Sequence, residues 1–90
     1  MKKIYKYVLG NKMLLPVGFN IIEVEKQNDR WCLWAEVNTE TIEMVEVEFV
    51  VKPTGAEVLE GERHIKTFFE NSFVWHIYMR FDRDKLVIAK

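Results

Sequence analysis

Apolar and polar residues alternate with a period of two along most of this chain, most cleanly over residues 31–37. There Trp31, Leu33, Ala35 and Val37 fall on one face, and Cys32, Trp34 and Glu36 on the other. Aromatic and branched residues suit a pleated, half-buried surface, so this segment reads as a central strand. Residues 2–9 alternate too, with Tyr5, Tyr7 and Leu9 opposed to Ile4, Lys6 and Val8. Gly10-Asn11 interrupts that first strand, and Pro16 and Gly18 punctuate the stretch that follows. Residues 19–26 form the next strand. It closes on Asn28-Asp29, which tolerate the left-handed backbone of a two-residue hairpin loop.

With that loop, Val24 lies opposite Leu33, Ile22 opposite Ala35 and Lys26 opposite Trp31. A slip of one residue would exchange the faces, so the hydrophobic sorting supports the register. After a turn at 38–41, residues 42–52 form a strand whose Val45, Val47 and Phe49 are expected opposite Ala35, Leu33 and Trp31. That meander would be apolar below, with Glu23, Glu25, Glu36, Glu46 and Glu48 gathered around Trp34 above. Pro53-Thr54-Gly55 ends the strand, and residues 56–62 read as a loop or a short helical turn. Residues 63–70 and 73–81 make a second hairpin around Asn71-Ser72, pairing Phe68 with Trp75 and Thr67 with His76. Its core face holds Phe68, Phe73, Trp75, Ile77 and Met79; its outer face holds Arg63, Ile65, Thr67, Phe69, Val74, His76, Tyr78 and Arg80. Residues 82–85 read as a charged turn, and 86–89 as a short terminal strand or a tail.

Strands at roughly ten-residue spacing predict an all-β or β-rich fold. An antiparallel meander, small sandwich or barrel of about six strands fits, and one helix packed on a sheet is the alternative. Ninety residues suit a single domain spanning 1–90, which buries roughly 60–65% of its unfolded surface and so holds one modest core. The net charge of −1 gives no global attraction to nucleic acid or membrane, so bulk nucleic acid is not an expected partner. A single cysteine excludes an internal disulfide framework and suits a reducing compartment. The N-terminus lacks the apolar run of a signal peptide, and no segment approaches the roughly 20 apolar residues that span a bilayer.

The ordered set Lys3-Ile4-Tyr5-Lys6-Tyr7, Leu15-Pro16 with Gly18, Gln27, Cys32-Leu33-Trp34-Ala35 with Val37, and Phe73-Val74-Trp75-His76-Ile77-Tyr78 resembles a family of small, functionally uncharacterised proteins of bacteriophages and prophages. The resemblance covers most of the chain, residues 2–78. Two departures stand out. The family's Gly-Thr-Gly-His-Pro is reduced here to Thr54-Gly55 followed by Ala56-Glu57, and the chain continues from Met79 to Lys90. The resemblance implies a phage origin and a host-cytoplasm setting, and it implies no activity.

Chemistry-bearing residues are sparse. His64 and His76 are the two histidines, and no phosphate loop or paired Cys/His metal spacing is present, so no metal or cofactor is expected. Thr67 opposite His76 brings a hydroxyl to an imidazole, which is more simply a satisfied strand histidine than a nucleophile with its base. Cys32 reads as a half-buried small hydrophobe, because flanking carboxylates oppose the thiolate a nucleophile needs. Turnover is therefore not expected. Arg63, Thr67, His76, Tyr78 and Arg80 form a basic, aromatic strip suited to a phosphate-bearing ring, unless the chain's own residues cover it. Trp34 with Glu23 and Glu46 forms an acidic strip suited to a basic protein surface. Apolar residues on both strand faces favour a homo-oligomer or a two-layer closure. The combined expectation is a phage accessory protein with a counter-defence role, sequestering a host immune signal nucleotide or blocking a host defence protein. The alternative is a structural or assembly phage protein that contacts other proteins and takes no ligand.

Overall fold

A computed structural model describes residues 1–88, with side chains to Phe81. Seven strands are present and no helix among the described residues: β1 (Lys2–Val8), β2 (Lys12–Pro16), β3 (Asn20–Gln27), β4 (Arg30–Asn38), β5 (Glu43–Pro53), β6 (Arg63–Glu70) and β7 (Phe73–Ile88). They form two antiparallel sheets, ordered β1-β4-β3 and β2-β5-β7-β6. Leu33 and Val24 from the first sheet meet Leu15, Val45, Val47, Phe49, Ile77 and Met79 from the second in one core. The fold is a β-sandwich. Each such side chain contributes about 1.5–3 kcal/mol by leaving water, and β4, paired on both edges, carries Leu33 and Ala35 at 0% exposure.

Both hairpins form as the sequence predicts. Asn28 and Asp29 have φ of 52° and 63°, and Asn71 and Ser72 have 51° and 67°. Two consecutive left-handed residues make a turn whose twist matches the flanking strands. Val24 pairs with Leu33, Lys26 with Trp31, Phe68 with Trp75 and Thr67 with His76. Pro16 to Phe19 is a turn closed by the Phe19 amide on the Pro16 carbonyl at 3.1 Å, with Gly18 at φ 84°. A third turn position with positive φ favours glycine, and here it sends the chain from one sheet to the other.

Several expectations are corrected. β5 does not join β4, because β1 already holds β4's second edge and the 39–42 link crosses to the opposite sheet. Val45, Val47 and Phe49 still reach the core, but from the other layer. Residues 12–16, expected only as a punctuated lead-in, form β2 against β5. Ile21, not Ile22, lies opposite Ala35, because a β-bulge at Ile22 adds one residue to β3 before Glu23 pairs with Trp34. Phe73 sits at the hairpin tip, 64% exposed, and stays outside the core. Residues 56–62 are a loop with no helical turn, and residues 82–85 stay within β7, set against Glu46 alone. Of the predicted terminal segment, residues 86–88 belong to β7 and Ala89 lies outside the described residues.

Candidate functional site

β3 and β6 are edge strands of different sheets on the same side of the sandwich, and ion pairs tie them together. Lys66 reaches Glu23 at 3.7 Å and Glu25 at 3.3 Å, and Lys26 reaches Glu70 at 3.9 Å. Toward the other end the edges part. Ile22 bulges from β3 and Ile65 from β6, between the pairs His64–Tyr78 and Lys66–Ile77. Bulges bend the strand that carries them and re-aim the side chains beside them. A cleft of about 740 Å³ opens there, its walls formed by Val17, Phe19, Ile21, Ile22, Val24, Val45, Ile65, Met79 and Phe81. Phe19 and Phe81 stand edge to face at 5.7 Å. Asn20, Glu23, Arg63 and His64 supply its polar groups. An apolar hollow of this size with few polar groups is the usual form of a small-molecule site.

Behind His64, the outer face of the second sheet carries a chain of hydrogen bonds. His64 Nε2 lies 2.7 Å from Thr67 Oγ1, which lies 2.9 Å from His76 Nδ1. His76 Nε2 lies 3.0 Å from Thr54 Oγ1, and that hydroxyl donates to the Val74 carbonyl at 3.3 Å. Each hydroxyl carries one proton to donate, and the donor and acceptor roles along the rest of the chain follow the tautomers of the two imidazoles. Tyr78 packs its ring against His64 at 5.4 Å with planes 76° apart, and Lys52 Nζ stands 5.8 Å from the same tyrosine ring. Lys52 also holds the Glu62 carboxylate and the Glu57 carbonyl, each at 2.7 Å, so the 54–62 loop is strapped onto this face. The Lys52 hydrogen bond, then the Leu59 amide, hold the Glu62 carboxyl below its ordinary value.

The predicted strip is therefore brought together in part. Thr67, His76 and Tyr78 share the outer face with Arg80, whose guanidinium is engaged by Glu48 at 3.1 Å. Arg63 does not join them. It pairs with Met79, an inward residue, and lines the cleft, because the Ile65 bulge resets the alternation along β6. His64 takes the outer position in its place. Strict alternation hides that exchange; the one trace of it is Ile65, an apolar residue that unbroken alternation would leave among polar neighbours. Lys52, Thr54 and Glu62 were also missed, since their contacts depend on how the loop folds back.

A family model described as a domain of unknown function (DUF7352) matches residues 1–86. The chain belongs to this family. No curated protein and no solved structure matches it. The DUF7352 match takes in β1 to β6 and most of β7, so the whole cleft and the hydrogen-bonded chain behind it lie within the family's span.

The acidic strip of this DUF7352 domain is divided between the sheets. Trp34, Glu23 and Glu36 lie on the outer face of β1-β4-β3, whereas Glu46 pairs with Leu14 of β2 in the other sheet. Trp34 is only half-buried, yet Lys6 lies across it, with Nζ 5.9 Å from the ring and a hydrogen bond to Gln27. Lys2 meets Glu36 at 3.8 Å. Cys32, expected half-buried, is 1% exposed. Cations thus interleave with the carboxylates, and the uniformly acidic surface expected around Trp34 does not form. Among the described residues no group of three or more His, Cys, Asp and Glu side chains is placed to hold a metal ion.

Proposed function

We propose that this DUF7352 chain is a phage accessory protein that acts by binding, without turnover, in the cytoplasm of an infected host. Its role is counter-defence: it sequesters a host immune signal nucleotide in the cleft between β3 and β6. The observation that carries this reading is the pairing of apolar walls with Arg63 and His64 in a hollow of about 740 Å³, within the 300–1,000 Å³ typical of such sites. A nucleobase is a flat apolar plate, and the Phe19–Phe81 wall offers aromatic surface to it. A phosphate needs a fork of donors, which Arg63 provides, with the His64 imidazole beside it. Thr67, His76 and Tyr78 hold the His64 ring in place from behind. Glu23 would repel phosphate, but Lys66 stands 3.7 Å from it.

Titration calorimetry against a panel of cyclic and linear nucleotides tests this. The expected result is saturable binding of at least one, weakened tenfold or more by Arg63→Ala and little changed by Arg80→Ala. No heat with any nucleotide removes the reading, and consumption of the nucleotide on incubation replaces binding with an enzyme.

A second reading, blockade of a host defence protein, is favoured by the hairpin tip, where Phe69 is 78% and Phe73 64% exposed. In a phage-protection assay, loss of protection with Arg63→Ala supports sequestration, and loss with Phe69→Ser/Phe73→Ser supports blockade. Recovery of the chain in purified virions would favour an assembly role instead.

A further inference from the structure

Among the described residues the sandwich has four edge strands, and three of them carry features that discourage pairing with another chain. β3 and β6 are each bulged and are tied to one another by Lys66 and Lys26. β2 has five residues and ends in Pro16. β1 has seven residues in unbroken register with β4 and no bulge. Its backbone orientation follows from two hydrogen bonds at its ends, the Leu9 amide on the Trp31 carbonyl at 2.9 Å and the Thr39 amide on the Met1 carbonyl at 2.8 Å. Hydrogen-bonded and open pairs alternate in an antiparallel ladder, so odd residues of β1 bond to β4. Lys2, Ile4, Lys6 and Val8 therefore point their amides and carbonyls at the free edge.

We propose that this edge is the interface of a homodimer, in which β1 pairs antiparallel with β1 of a second copy across a two-fold axis at Tyr5. Lys2 then faces the partner's Val8, Lys3 the partner's Tyr7, Ile4 the partner's Lys6, and Tyr5 the partner's Tyr5. This register uses all seven residues and sets no lysine against a lysine. A shift of two residues one way opposes Lys2 to Lys6; a shift the other way opposes Lys6 to itself, and like charges directly opposite are destabilising. Charge thus selects one register. The lysines that would ordinarily guard the edge are also drawn back along their own sheet, Lys2 to Glu36 and Lys6 over Trp34 to Gln27. Ile4, Tyr5 and Val8, exposed at 63%, 43% and 50%, gain cover from the partner strand. The first sheet becomes six strands in the order β3-β4-β1-β1-β4-β3. The interface is independent of the nucleotide reading.

Light scattering at micromolar concentration is expected to give twice the mass of one chain; a monomer mass overturns the proposal. Tyr5→Lys places two ammonium groups on the axis and is expected to give monomers with an unchanged far-UV spectrum, whereas Tyr5→Phe stays dimeric. A dimeric, folded Tyr5→Lys variant overturns it. Should that variant not fold, cysteine variants decide. Tyr5 faces its own copy in an open pair, where Cα atoms lie about 4.5 Å apart and a disulfide can close. Tyr5→Cys is expected to cross-link on mild oxidation and Tyr7→Cys is not; cross-linking of both, or of neither, removes the register.

Discussion

Lys52 Nζ lies 2.7 Å from the Glu62 carboxylate, and both side chains are nearly covered, 12% and 6% exposed, on the outer face of a sheet. The pair, together with the Glu57 carbonyl, fastens the β5–β6 loop over the hydrogen-bonded chain that positions His64. Because Glu62 is held below its ordinary carboxyl value in the folded state, its contribution is fully present above the unfolded value. That contribution is lost as pH falls through the lower folded one. The stability difference between wild type and Glu62→Gln is expected to be full at neutral pH. It should shrink as pH falls below the ordinary glutamate value of roughly 4.3. Urea midpoints across that range, with amide exchange of residues 54–62, measure it; a difference that grows in acid contradicts the assignment.

Leu33 and Ile77 touch the same core from opposite layers, at 0% and 1% exposure. Leu33→Ala is expected to cost about 2–5 kcal/mol and Ile77→Val about 0.5–1.5 kcal/mol. Denaturant titration reads both, and a loss under about 1 kcal/mol for Leu33→Ala would mean that its side chain is not packed in the core.

Ser72 holds a left-handed backbone at φ 67° without glycine's freedom. Ser72→Gly relieves that strain and is expected to raise stability by roughly 0.5–1 kcal/mol, since left-handed conformations cost side-chain-bearing residues about 1–2 kcal/mol and glycine recovers part of that. Thermal unfolding detects the gain, and a fall in midpoint would mean that the turn is not of this type.

Phe69 and Phe73 are aromatic yet exposed at 78% and 64%, whereas Phe49 is 7% exposed in the core. Substituting either tip residue by Ser is expected to change stability by no more than about 0.5 kcal/mol, against about 3–5 kcal/mol for Phe49→Ala. Equilibrium unfolding of the three variants separates a surface tip from a structural one.

The hairpin registers were legible because Asn28-Asp29 and Asn71-Ser72 determine local geometry within four residues. Partnership between distant strands was not. Val45, Val47 and Phe49 alternate equally well against either sheet, and only the prior claim of β1 on β4 excludes the meander. The bulges at Ile22 and Ile65 were hidden for a related reason. Isoleucine is an ordinary strand residue, so an added one leaves at most an apolar side chain among polar neighbours, yet each extra residue reverses the faces beyond it. Thr67 facing His76 is readable from the turn alone, while Arg63, two residues beyond the bulged Ile65, lies on the face opposite to the one that strict alternation predicts.

The pairing of β1 with β4, and of β2 with β5, also bears on how the chain matures during translation. The first sixteen residues emerge from the ribosome well before their hydrogen-bonding partners exist, while the β3–β4 hairpin can close on its own. Folds dominated by such distant contacts assemble slowly, over milliseconds to seconds. The nascent segment must stay soluble through that interval, and Lys2, Lys3, Lys6 and Lys12, spaced among its tyrosines and aliphatics, are the charges that keep it so.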